Sequence, residues 1–439
     1  MRLRHKTFAG GIDLPDEKHV TRGSAIAPCP RPDYLLLPLA PLGYAAAGPL
    51  VKIGDEVSAG QKVAAIDPSA ADAGGVDVYS PLDGVVAEMT TASVAGPAGF
   101  VSVPAVKLVK LSMPKAIQPG GQVFQWHSAS PSTLRTRLAQ SSLTTCRQRG
   151  RSMHSWVQAA RGRGCGTLIV NAMESQPYVS ADHRLLAEHG GDVMRGLAIL
   201  GLAMEATQLV VAVDSRRTDD YRGLVGPARS YQISRVALNH KYPMGVDPML
   251  VKILTGKEVP PGGSTLDIGV AVTTAAACFA VFRTVACETL VTSRVVTSAG
   301  ERCGRVGNYH VPFGTPCRFL ASSDAGLIAG GPMVGLACPQ DAVVTAATDA
   351  VLALDVPDTG VPGPCIRCGW CSDHCPARLN VAQINDCFEL GQVDRAGKIG
   401  VMASMECGVC SYVCPARLPL THRVKALKAA LRAAKGTGS

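Results

Sequence analysis

The chain has 439 residues, 47% hydrophobic and 18% charged, with 43 Lys and Arg against 34 Asp and Glu and a formal net charge of +9. This length predicts three or four domains, each with its own core, and the composition excludes disordered and collagenous classes. Aromatic residues make up only 5% and are not interleaved with the basic ones, so nucleic-acid binding is not expected. An acidic redox partner or an anionic membrane is the expected counterpart of the charge.

In chain order, Met1-Arg-Leu-Arg-His-Lys-Thr-Phe is basic with no apolar core behind it, so no signal peptide is expected there. From Leu35 to Val109, short apolar runs alternate with turns. Val51–Val57, Ala59–Ile66 and Val78–Glu88 read as strands, with Gly54-Asp55 and Asp83-Gly84 as hairpin bends. This text is similar to a lipoyl- or biotinyl-type barrel-sandwich. No lysine stands at Asp83-Gly84, where a swinging-arm carrier needs one, so a docking or structural barrel is expected. Residues 111–132 form a Pro/Gly/Ser-rich connector.

Next, Thr167–Asn171 reads as a buried strand, Ala181–Ala206 as an amphipathic helix, and Leu209–Asp214 as a second strand. Together they predict a parallel βαβ unit. Ligands of such sheets sit beyond the strand C-termini, here near Asn171, Glu174 and Asp214. The most apolar stretch, Leu266–Phe282, holds Asp267, Thr273, Thr274 and five alanines. It is too short and too weakly apolar to span a bilayer and predicts a buried strand leading into a helix. Residues 290–336 return to short β text. A Pro/Gly linker at 355–364 leads to a cysteine-rich segment that ends in a basic amphipathic helix, Leu420–Lys435. That helix has Val424, Leu427 and Leu431 on one face and Arg423, Lys425, Lys428, Arg432 and Lys435 on the rest, a surface for a partner or lipid.

The chemistry concentrates in two runs. Cys365-Ile-Arg-Cys368-Gly-Trp-Cys371-Ser-Asp-His-Cys375-Pro376 matches the bacterial ferredoxin spacing C-x2-C-x2-C-x3-C-P throughout. Ser404-Met-Glu-Cys407-Gly-Val-Cys410-Ser-Tyr-Val-Cys414-Pro415 matches it except at its first position. In two-cluster proteins the last cysteine of each run serves the other cluster. The expected sets are Cys365, Cys368, Cys371 and Cys414 for one [4Fe–4S] cube, and Cys375, Cys407, Cys410 and Ser404 for a second. A serine hydroxyl is a harder, weaker ligand than a thiolate, so the second site is expected to be labile or to hold a [3Fe–4S] centre, with Cys387 as an alternative ligand. Zinc sites also use C-x2-C pairs but lack the two further cysteines ending in Cys-Pro. The other nine of the 16 cysteines have no framework spacing and are expected to be reduced, which points to the cytosol.

Further runs carry a resemblance across almost the whole chain: Lys6-Thr-Phe-Ala-Gly-Gly-Ile12, Asn171-Ala-Met-Glu-Ser-Gln-Pro-Tyr178, Tyr242-Pro-Met-Gly245, Leu254-Thr-Gly-Lys-Glu-Val-Pro260 and Gly330-Gly-Pro-Met333. With the cysteine motifs they resemble the RnfC family, a component of the Rnf (also Rsx) electron transport complex. The resemblance implies an α+β multidomain chain: a barrel-sandwich hybrid domain (1–112), an α/β flavin/NADH-type domain (133–288), a small β-grasp, SLBB-like module (289–352) and a helical ferredoxin-like two-cluster domain (356–436). It implies a peripheral subunit at the cytoplasmic face of the bacterial inner membrane, relaying electrons between a cytoplasmic donor, a ferredoxin-like or flavoprotein carrier, and membrane partners of an ion-transporting complex. It also implies FMN and NADH at Gly150, Asn171 and Glu174. The family's glycine-rich loop is replaced here by Cys146-Arg-Gln-Arg-Gly150-Arg-Ser-Met-His-Ser155. Side chains of Arg147, Arg149 and Arg151 fall where bare backbone approaches a phosphate in the family, so tight FMN binding and NADH oxidation by the isolated chain are not expected. Three alternatives are a working FMN-dependent NADH dehydrogenase subunit, a microcompartment cobalamin reductase, whose barrel follows its flavin domain, and a non-enzymatic scaffold.

Overall fold

The structure, a computed structural model, describes residues 7–43, 45–67, 75–96, 99–112, 124–145, 151–355 and 361–436. Two small sheets build the N-terminal barrel. One places Leu35–Pro38, Gly99–Ser112, Asp83–Gly96 and Glu56–Val57 side by side, and the other Gly48–Pro49, Lys62–Ala65 and Val78–Tyr79. Alternate residues of the paired strands point inward, so Leu35 faces Leu108 and Leu37 faces Val106 in a core shared with Val63 and Leu82. The two expected bends are corrected. Asp83-Gly84 opens a 14-residue strand. The strands either side of Gly54 pair elsewhere, Gly48–Pro49 with Ala64 and Ala65, and Glu56–Val57 with Gly84 and Val85. Alternation alone cannot tell a local hairpin from two interleaved sheets, because both bury the same residues.

A four-stranded parallel sheet follows, in the order Ser234–Leu238, Gln208–Asp214, Thr167–Ala172, Val270–Thr273. The βαβ unit is as the sequence predicts. Its helix, Ala181–Met204, ends where Glu205 turns left-handed at φ 62°. A second helix, Ala275–Val285, crosses it so closely that a Cβ on Gly196 would lie 1.8 Å from the Cys278 carbonyl oxygen. Only glycine permits that approach. The strand order reverses between Thr167–Ala172 and Val270–Thr273, so the ligand crevice falls there and not at Asp214.

The β-rich segment forms a mixed six-stranded sheet whose edge strand, Ile26–Pro28, runs parallel to Gly307–Pro312. Those three residues, expected with the barrel, pair instead with Asn308, Tyr309 and His310. The cysteine-rich segment is helical, with short helices at Trp370–Asp373 and Val409–Tyr412 and longer ones at Val381–Glu389 and Leu420–Gly436. Its core gathers Leu379, Ile384, Leu418, Leu420, Val424 and Leu427. Among the described residues no helix is long and apolar enough to cross a membrane.

His183, 6% exposed, meets the Tyr221 hydroxyl at 2.6 Å and lies 3.5 Å from Asp220. Burial pushes its pKa down to about 4, with Lys18, Arg217 and Arg184 adding to the effect against Asp220. Below about pH 6.5 the unfolded chain takes up a proton that the folded chain refuses until near pH 4, so stability falls through that window as pH falls. His183→Gln is expected to remove about 2 kcal/mol of the stability difference between pH 7 and pH 5 in urea unfolding. An unchanged pH slope in the variant would exclude this histidine as a source.

Candidate functional site

The two cysteine runs are related by a shift of 39 residues, and their backbones repeat. Arg367 and Glu406 stand at φ 59° and 56°, Gly369 and Gly408 both at 84°, and Arg378 and Arg417 at 55° and 57°. Each run wraps one side of a cavity, and a helix from the other repeat closes it. The first cavity, about 380 Å³ including space open to solvent, is lined by Cys365, Cys368, Cys371 and Cys414. The second, about 410 Å³ on the same measure, is lined by Cys375, Cys407, Cys410 and Ser404. Twelve of the thirteen residues lining one correspond to residues lining the other through the same shift. The crossed sets expected from spacing are therefore brought together in space.

Ser404 occupies the place that Cys365 has in the first repeat. Its hydroxyl accepts the Glu406 N–H at 3.2 Å, and its carbonyl accepts Lys428 Nζ at 2.8 Å. Lys428, expected on the solvated face of the last helix, is 5% exposed and ion-paired with Glu406. Glu406 also lines the second cavity, a neighbour the spacing argument missed. Cys387 is buried in the helical core and lines neither cavity. The two cavities also differ in setting. Cys368 is exposed, whereas Cys407 is buried and its carbonyl accepts the Tyr242 hydroxyl at 2.5 Å. Tyr242 in turn accepts from Gln176 at 2.9 Å, and a Cβ on Gly408 would come within 2.4 Å of the Met333 carbonyl. The second cavity is thus fastened to the parallel-sheet and β-rich parts of the chain.

Burial pushes the Cys407 thiol up to about 12 and raises Cys410 and Cys371 in the same direction, with neighbouring cysteines adding to it. Such thiols ionise when a cationic metal core joins them. Among the described residues no three His, Cys, Asp or Glu are spaced to hold a single metal ion.

At the strand ends, both Asn171 amide hydrogens are taken, by the Gly245 carbonyl at 2.9 Å and by Asp247 at 2.7 Å, and its oxygen accepts Met173 N–H. The Glu174 carboxylate accepts the Asp182 and His183 N–H groups that open the long helix, at 2.8 and 3.2 Å, with Lys18 at 4.0 Å. These are strand-to-helix ties. Asp214, set apart from the crevice, accepts from Arg216 and lies 3.0 Å from His240. Gly150, Arg147 and Arg149 lie outside the described residues; their loop starts and ends where Thr145 N–H donates to the Arg151 carbonyl at 2.9 Å.

Comparison with known proteins bears on both regions. Residues 6–108 match the family model described as the RnfC barrel sandwich hybrid domain, and residues 146–283 match the Nuo51 FMN-binding domain. The chain is 31% identical over 451 residues to the RnfC protein of the ion-translocating oxidoreductase complex of Erwinia tasmaniensis, covering 97% of this chain and 54% of that one. It is 30% identical over 389 residues to the protein of the same name from Salmonella gallinarum, covering 86% and 57%. The chain spans about half the length of these relatives. An air-oxidised NAD+-reducing [NiFe]-hydrogenase structure aligns over 71% of this chain and 63% of that one, at 16% identity and a TM-score of 0.47.

Proposed function

The chain belongs to the RnfC family of ion-translocating oxidoreductase complexes, and on that premise we propose that it is the iron–sulfur electron-relay subunit of an Rnf-type complex. The observation that supports this reading most is the pair of cavities whose cysteines come crosswise from two repeats. Cys365, Cys368, Cys371 and Cys414 would hold a [4Fe–4S] cube. Cys375, Cys407 and Cys410 would hold a second group, with an oxygen at the Ser404 corner. Such groups, when bound, supply one-electron centres. The residues fit them: outside the ligand rows both cavities are lined mainly by apolar side chains, and one buried amide donor at the first cavity has no protein partner among the described residues. In this reading the helical segment is a ferredoxin-like domain and the β-rich sheet an SLBB-like module. The chain sits peripherally at the cytoplasmic face of the inner membrane, against other Rnf-type subunits and a ferredoxin-like or flavoprotein carrier. Iron and acid-labile sulfide assays with EPR of the dithionite-reduced protein test it. Zinc in place of iron, or no low-temperature EPR signal on reduction, would overturn it.

The match of residues 146–283 to a flavin-binding domain favours a second reading, an FMN-dependent NADH dehydrogenase. The described residues do not fit a flavin: Asn171 has no amide hydrogen left to offer it, and both Glu174 oxygens are held by helix N–H groups. Three arginines beside the phosphate place would each need a phosphate oxygen to offset desolvation. Calorimetric titration with FMN is therefore expected to show no micromolar binding, and NADH to leave an artificial acceptor unreduced. Tight flavin binding with NADH-driven turnover would replace the first reading by the second.

A further inference from the structure

The helices that close the two cavities differ at two equivalent positions one turn apart. Helix Val381–Glu389 lines the first cavity with Ala382 and Asn385; helix Leu420–Gly436 lines the second with Thr421 and Val424, each 39 residues on. In the second cavity the Thr421 hydroxyl lies 3.5 Å from Cys410 Sγ, and Ser411 donates to the Thr421 oxygen at 3.0 Å. With its oxygen thus occupied as acceptor, Thr421 has its own hydrogen for the sulfur. The first cavity has alanine there and no such donor. Three residues further on it has Asn385 where the second has Val424.

Asn385 is 2% exposed. Its Oδ1 accepts from Arg423, whose guanidinium is held by Glu389 at 2.6 Å and lies 5.3 Å from the Phe388 ring centre. An amide oxygen turned to a guanidinium turns its NH2 the other way, and the reverse flip would set donor against donor. Nδ2 is then a buried donor with no partner among the described residues. Leaving such a donor unbonded costs about 1–3 kcal/mol.

We propose that Asn385 donates an N–H bond to a sulfur of the iron–sulfur group in the first cavity, as Thr421 does to Cys410 in the second, and thereby raises that group's reduction potential. This rests on the iron–sulfur reading above. Reduction adds negative charge to the group, and a fixed donor stabilises the more negative state. Arg423 is a positioning residue: it holds the amide in the donating orientation.

The test is an EPR-monitored redox titration of the full chain. Asn385→Val, which installs the side chain of position 424, is expected to shift the first centre's redox equilibrium about tenfold toward the oxidised form, about 59 mV for one electron. Adding Ala382→Thr moves a donor to the position Thr421 holds and should return at least half of the shift. Arg423→Met should give a smaller shift of the same sign. A midpoint unchanged in Asn385→Val, with iron content and both signals intact, overturns the proposal. Should that variant lose iron, wild-type protein with 15N-labelled asparagine decides. A 15N coupling in the pulsed EPR of the first centre upholds the bond, and its absence overturns it. A chain that carries iron but shows no Asn385 effect leaves the electron-relay reading standing; a chain without iron removes both.

Discussion

Cys368→Ala is expected to lower bound iron by about four per chain, remove one reduced-state EPR signal and bring electron transfer to background. Cys368 is one of four thiols lining the first cavity, and its neighbours Ile366, Arg367 and Gly369 line the same wall. None of the remaining lining side chains can replace a thiolate there: Asn385 is turned by Arg423, and the others are apolar, glycine or the arginine itself. The fold should survive, because the helical core of Ile384, Leu420, Val424 and Leu427 does not include Cys368, and the residue is exposed. Circular dichroism and the milder Cys368→Ser variant separate loss of the group from loss of the domain. Unchanged iron and undiminished electron transfer in the alanine variant would sink the assignment of this site.

Ser404→Cys is expected to act in the opposite direction, raising iron toward about eight per chain and turning the second signal into that of an ordinary four-thiolate cube. The backbone around Ser404 already has the conformation of the Cys365 loop, residue for residue at Glu406 and Gly408. Lys428 grips the carbonyl of residue 404, not its side chain, and the Glu406 N–H that now reaches the hydroxyl can serve a thiolate as well. No lining residue has to move for the larger sulfur to enter a cavity of about 410 Å³. In the wild type, oxygen at this corner leaves the group open to loss of one iron, so the variant should also resist air longer. Two equivalent four-thiolate centres in the wild type would contradict this. Because Cys387 lines neither cavity, a thiol from outside the chain would then be the missing ligand.

Much of the site was legible from residue spacing. A ligand row at intervals of three, three and four residues is a statement about one short loop, and local spacing determines which sulfurs can face one point. The crossed assignment of Cys414 and Cys375 follows from the same repeat. The βαβ unit was legible too, because the apolar period changes from strand to helix and back between Thr167 and Asp214.

Residue order therefore suffices for whatever spacing and periodicity govern: the two ligand rows, the defect at Ser404, the parallel unit and the loss of the glycine-rich loop. Packing alone settles whatever joins residues far apart in the chain. The edge strand Ile26–Pro28 finds its hydrogen bonds on Gly307–Pro312. Lys428 leaves the polar side of an amphipathic helix for an ion pair with Glu406. Asn171 and Glu174, which read as ligand contacts, are tied to Asp247 and to the first N–H groups of a helix. Asn385, silent in any motif, is turned toward the first cavity by an arginine 38 residues away. The physical reason is common to all four. A buried polar group must find a partner, and which group lies close enough to serve is set by how the chain packs, not by its local order.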